Sequence, residues 1–205
     1  MKKLFCCVAI VTLLMLTTGT MADAYSGLTV ISSPSGYFNI NIEDSLIENA
    51  RIISIKSYED SGRLITVTEY ITSDGLHITD TFNRGVNSRS ANGSDYVSRS
   101  RDLGTYGRLT VNANFSWYTE QKTIAGISFP VSYVRCDYMN HSHTGKSNLV
   151  VVDTMDEDYT ANYVAFGTAH AKLTYSMHLS DDPLYYQNGN ITITCDDTGS
   201  IHDNA

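Results

Sequence analysis

From Tyr159 to Leu179 every odd position is apolar, aromatic or glycine: Tyr159, Ala161, Tyr163, Ala165, Gly167, Ala169, Ala171, Leu173, Tyr175, Met177 and Leu179. Most even positions are polar, among them Thr160, Asn162, Thr168, His170, Lys172, Thr174, Ser176 and His178. Side chains repeat every two residues in extended chain and every 3.6 in a helix, so sustained parity of this kind belongs to β-structure. A straight strand of that length would run about 70 Å, well past the usual range of roughly 3–10 residues. The element reads as two strands or one bent strand, with the break at Ala165 to Thr168 and Gly167 as the bend.

The same alternation recurs upstream. Leu109, Val111, Ala113, Phe115 and Trp117 share one face, opposite Thr110, Asn112, Asn114, Ser116 and Tyr118, which makes Trp117 a core anchor. Ile127, Phe129, Val131 and Tyr133 repeat the pattern, and Pro130 suits an edge or a bulge. Leu28 to Ile31, Tyr37 to Ile42 and Arg51 to Tyr58 read as strands, and the stretch 43–49 leaves room for one short helix. Arg63 to Ile71 and Leu76 to Phe82 read as a hairpin across Ser73-Asp74-Gly75. Leu149 to Val152 is a short strand preceded by a polar turn, His141 to Gly145. Pro183 to Gln187 and Asn190 to Cys195 read as a hairpin around Asn188-Gly189, a preferred type I′ pair, and 196–205 as a frayed tail. The fold expected from these pieces is an all-β, antiparallel β-sandwich, with a partly open β-barrel as the alternative.

The first 24 residues have a separate logic. Lys2 and Lys3 precede the apolar run Leu4 to Leu16, and Ala22-Asp23-Ala24 supplies a small-x-small exit. That is the layout of a secretory signal peptide; its apolar run, about 20 Å as helix, is short for a bilayer core of about 30 Å. The expectation is a secreted or cell-envelope protein with a signal peptide at 1–24, no stable membrane anchor after cleavage, and a single domain over 25–205. The chain carries 22 acidic and 14 basic side chains, a net charge of −8, and losing Lys2, Lys3 and Asp23 makes it more negative. Such a balance disfavours nucleic acid and anionic lipid as partners. Beyond the leader only Cys136 and Cys195 remain, and in an exported chain two cysteines outside any Cys-x-x-Cys motif read as a disulfide.

The stretch 83–107 is rich in Asn, Ser, Gly and Arg and poor in apolar residues, so it reads as a long polar surface loop or a seam between two sub-domains. Within it Arg89, Tyr96, Arg99, Arg101 and Tyr106 interleave guanidinium forks with rings, a composition suited to gripping carboxylate or phosphate groups on an envelope glycan or a surface protein. Asp153, Asp156 and Asp158, with Glu157, form an acidic turn that reads as a solvated charge run blunting a strand end, with no cofactor; the alternative is a calcium site built on their hard oxygens. His141 and His143 offer imidazoles without a third convergent ligand. No nucleophile elbow, phosphate loop or zinc-protease helix is present. The leading functional expectation is a non-enzymatic secreted or cell-surface binding module. A secreted β-structured toxin or bacteriocin-like protein, motivated by the alternation at 159–179, and a secreted hydrolase near His141 and His143 are the alternatives.

Overall fold

The computed structural model describes residues 50–86, 90–145 and 148–204. The leader at 1–24, the strand candidates Leu28–Ile31 and Tyr37–Ile42, the stretch 43–49 and Arg89 lie outside the described residues. Eleven strands lie among the described residues, in order: β1 Arg51–Asp60, β2 Arg63–Ile71, β3 His77–Gly85, β4 Gly93–Asp102, β5 Arg108–Ile124, β6 Ile127–Thr144, β7 Val150–Tyr159, β8 Val164–Ala165, β9 Thr168–Leu179, β10 Asp182–Asp196 and β11 Ile201–Asn204. They form two antiparallel sheets, neither closed into a barrel. The large sheet has the order β1-β2-β3-β4-β5-β6-β8 and the small one β11-β10-β9-β7.

Parity decides what is buried. Leu109, Val111, Ala113 and Phe115 of β5 have no exposed surface and Trp117 retains 3%, as the alternation requires. From the other layer, Ala169, Ala171, Leu173, Tyr175 and Met177 of β9 and Ile191, Ile193 and Cys195 of β10 close the core. Each large aliphatic side chain so buried contributes about 1.5–3 kcal/mol of transfer free energy. The β2–β3 hairpin forms as expected, with Gly75 at φ 87° in the left-handed region its turn needs.

The long alternating element is broken over a wider span than its parity suggested: 160–163 is not strand and Tyr159, Ala161, Tyr163 and Ala165 are exposed, because this is where the chain changes sheets. β7 ends at Tyr159 in the small sheet; β8 crosses to pair with Tyr133 and Val134 of β6; β9 returns to the small sheet. The left-handed residue at the return is Phe166, at φ 51°, rather than Gly167. Gly167 is needed for space instead, since a Cβ there would lie 2.6 Å from Val164 Cγ1.

Five local expectations are corrected. The stretch 83–107 is not a long loop: β4 fills its middle and pairs with β3 on one side and β5 on the other. Its strand signal was hidden because two of its inward positions are arginines. Asn188-Gly189 makes no hairpin; β10 runs straight through it, Asn188 opposite Ser176 and Gly189 opposite Tyr175, and the chain reverses earlier, just past Leu179. The ladder to all of β9 outweighs one favourable turn dipeptide. The tail is not frayed, because Ile201 is buried and β11 pairs with β10. Asp196 Oδ1 accepts hydrogen bonds from the amides of Thr198 and Ser200, each at 2.9 Å, and Gly199 sits at φ 81° against Trp117. His141 to Thr144 is the end of β6 rather than a turn, and the acidic residues at 153–158 lie on the extended β7.

Candidate binding face

The arginine and tyrosine residues picked out between 83 and 107 do not share a surface. Arg99 and Arg101 have no exposed surface at all. They point inward from β4 to Asp80 of β3: Arg99 Nη2 donates to Asp80 Oδ2 at 2.7 Å, while Arg101 Nε and Nη2 donate to Oδ1 and Oδ2 at 2.9 and 3.0 Å. Arg99 Nη1 also reaches the Thr192 carbonyl at 2.9 Å and Arg101 Nη1 the Asn190 carbonyl at 3.1 Å, tying the large sheet to β10. Burial would raise the Asp80 carboxyl, but the charges and hydrogen bonds of Arg101 and Arg99 outweigh it and hold the pKa down at about 2. Tyr106 is buried in a 3-10 turn, Gly104–Tyr106. Of this group Tyr96 alone faces solvent among the described residues, at 42% exposure. Two guanidinium groups committed to a buried carboxylate cannot also hold an external anion, so the ligand-gripping role expected of Arg99 and Arg101 is withdrawn.

A different constellation occupies the outer face of the same sheet. Register puts Tyr96 beside Asn114, Asn112 beside Asn140, Ser116 beside Arg135 and Tyr118 beside Tyr133. Between Tyr138 (opposite Asn114) and Cys136 (opposite Phe115), Asp137 is an extra residue, a β-bulge in β6. A bulge re-aims a side chain, and here it makes Asp137 a hub. Asp137 Oδ1 accepts from Arg135 Nε at 2.7 Å and Ser116 Oγ at 2.9 Å, and Oδ2 from Asn114 Nδ2 at 2.8 Å. A second chain runs from Tyr96 Oη to Asn112 Oδ1 at 2.7 Å and from Asn112 Nδ2 to Asn140 Oδ1 at 2.9 Å.

Aromatic rings border these polar lines. Tyr118 stacks on Tyr133 with ring centres 4.9 Å apart, and Tyr163 meets Tyr118 edge-on at 4.8 Å. The Arg135 guanidinium lies 4.4 Å from the centre of the Tyr163 ring and Lys122 Nζ 5.0 Å from that of Tyr133. Tyr163 and Tyr138 remain 38% and 43% exposed. The face thus offers oriented donors and acceptors beside ring planes that are held by their neighbours but still open to solvent. Asn112, Asn114, Ser116 and Tyr118 were readable as the wet side of β5, yet their meeting with Tyr96, Arg135 and Asp137 depends on strand register and on the bulge. Alternation alone carries neither.

The acidic residues of β7 are spread along its length rather than gathered. Asp153 Oδ2 lies 2.9 Å from His178 Nδ1, Glu157 Oε1 2.7 Å from His141 Nδ1 and Asp158 Oδ2 3.1 Å from His170 Nε2. Among the described residues no group of three or more His, Cys, Asp or Glu side chains could hold a metal ion, so the alternative of a calcium site at Asp153, Asp156 and Asp158 is not realised. An extended strand separates the carboxylates that a turn would have converged. His143 is engaged separately from His141, its Nε2 2.8 Å from the Tyr106 carbonyl. Among the described residues no helix is long and apolar enough to cross a membrane. Cys136 and Cys195 are buried free thiols in this structure. Comparison with family models, with curated proteins and with solved structures finds no match to this chain.

Proposed function

We propose that the chain is an exported, non-enzymatic binding module whose ligand face is the outer surface of β4, β5 and β6, and whose ligand is a hydroxyl-rich envelope polysaccharide. The observation that carries this reading is the side-by-side arrangement of the Asp137–Arg135–Asn114–Ser116 network and the Tyr118–Tyr133–Tyr163 ring cluster on a solvent-facing sheet. Sugars present apolar C–H faces and hydroxyls that both donate and accept. Rings cover the first, and a mixed set of amide, carboxylate and guanidinium groups meets the second. Tyr, Asn, Ser and Arg are also the residue types that supply rigid contact area and adaptable hydrogen bonding at recognition surfaces. The net charge of −8 disfavours a polyanionic ligand.

Retention of the secreted protein on a panel of neutral polysaccharides and purified peptidoglycan tests the reading. Tyr163→Ala and Arg135→Ala should each weaken retention tenfold or more while leaving Tm within a few degrees of the parent. Equal retention of parent and variants, or capture only by proteins of the cell surface, would reject it.

One observation favours a hydrolytic alternative: Thr160 Oγ1 lies 2.9 Å from His170 Nδ1, whose Nε2 faces Asp158. Thr160 Oγ1 already accepts from the His170 amide at 3.0 Å, and the Asp158 side chain is 74% exposed. A relay so open to water gains little electrostatic preorganisation, which places it second. Undiminished ester hydrolysis by Thr160→Val would remove it.

A further inference from the structure

Cys136 and Cys195 enter the core from opposite layers, Cys136 from β6 of the large sheet and Cys195 from β10 of the small one, and neither has any exposed surface. They stand at the same end of the sandwich. Cys136 is paired with Phe115 of β5, Trp117 is the next inward residue on that strand, and the β10–β11 turn that begins just past Cys195 packs its Gly199 on Trp117. Backbones of β6 and β10 approach within 8 Å. The two thiols are close enough that charge on Cys136 raises the pKa of Cys195. Each sulfur presently satisfies itself on a nearby carbonyl, Cys136 Sγ on Tyr138 at 3.2 Å and Cys195 Sγ on Asp196 at 3.4 Å.

We propose that Cys136 and Cys195 are joined in the exported protein as an inter-sheet cystine, a staple set directly beneath the bulge that presents Arg135 and Asp137. The bond forms by thiol–disulfide exchange with an oxidised donor, either a low-molecular-weight disulfide or the disulfide of an oxidoreductase. One cysteine thiolate attacks the donor disulfide and expels a donor thiolate. The second cysteine thiolate then attacks the mixed disulfide and expels the other. The two cysteine protons end on the two donor thiols, so the protein loses two electrons and the donor gains them.

Timing follows from burial. Once the sheets close, exclusion of water pushes the Cys136 thiol up to about 12, with the Asp137 charge adding to it, and raises Cys195 further. The thiolate fraction at neutral pH is then about one in 10⁵, and exchange all but stops. Oxidation therefore precedes closure, during folding after export, and the finished bond is shielded from reductants by the same packing.

Protein recovered from culture medium is unfolded in guanidinium with iodoacetamide and no reductant, then mapped by mass spectrometry. The expected result is one linked pair of peptides carrying Cys136 and Cys195 with neither alkylated, and alkylation of both only after reduction. Alkylation of both cysteines without reductant would overturn the staple. Reduction of the folded protein under mild denaturant should lower Tm by about 10 °C, given the long loop closed. It should also speed amide exchange tenfold or more at 134–138 and 193–196 relative to β2 and β3. Uniform acceleration across all strands would overturn the placement beneath the bulge. Neither readout involves a polysaccharide, so failure here is separable from failure of the binding reading.

Discussion

Two arginine–aspartate assemblies sit on opposite faces of one sheet, one on β3 and β4 and the other on β6, and do different work. On the inner face Arg99 and Arg101 share Asp80, with side-chain exposures of 0%, 0% and 6%. On the outer face Arg135 holds Asp137, at 40% and 22%. The chemistry is the same and the solvent is not. Inside, desolvation makes any broken partnership expensive, so the cluster is structural and its groups are unavailable to a ligand. Outside, water screens the pair, its energetic worth is small, and a ligand can compete for the free lone pairs and N–H groups. An arginine's role here follows from the parity of its position on a strand, not from the polarity of its neighbours in the chain.

The sharpest way to break this contrast is Asp80→Asn. It leaves two guanidinium groups facing a neutral amide between the sheets, and denaturant unfolding should show a loss of about 3–5 kcal/mol, or no folded protein at all. Acid unfolding of the parent tests the same cluster more gently. Asp80 has a folded pKa near 2, below its unfolded value, so its contribution of about 2 kcal/mol is complete above about pH 4 and disappears as pH falls through 2. Asp203 acts in the opposite sense: burial, partly offset by Arg99, raises its pKa, so acidification toward the ordinary carboxyl range favours the folded state through this group. Stability measured against pH should hold or rise slightly down to about pH 4 and then fall steeply. A monotonic decline from neutrality would contradict the Asp203 part, and a flat curve to pH 2 the Asp80 part. The smallest effect belongs to the outer face, where Asp137→Asn should cost under about 1 kcal/mol. A loss there as large as at Asp80 would erase the distinction.

Much of the fold was legible in the chain because two-residue parity reports directly on burial. The inward sets of β5 and β9, the anchoring of Trp117, the β2–β3 hairpin and the need for a break near Gly167 all came from it. Parity fails where the inward residue is charged. β4 looked like loop because Arg99 and Arg101 occupy core positions, and their partner Asp80 stands on the preceding strand, β3, about twenty residues away in sequence. It fails again where pairing overrides a local signal, as at Asn188-Gly189. The candidate face was half visible: the Asn and Ser residues of β5 were readable as its wet side. The bulge at Asp137, which shifts the phase of β6 and brings Arg135, Ser116 and Asn114 to one carboxylate, depends on a register that a single strand does not encode.

β7 closes one side of the small sheet with a row of acids, Asp153, Asp156, Glu157 and Asp158, on a strand interrupted by a bulge at Asp153. Its outer N–H and C=O groups would otherwise be a template for a neighbouring copy. Two such margins brought together would set carboxylate against carboxylate, a repulsion that opposes edge-to-edge pairing of copies. A row that failed as a cation cage thereby serves as a fender.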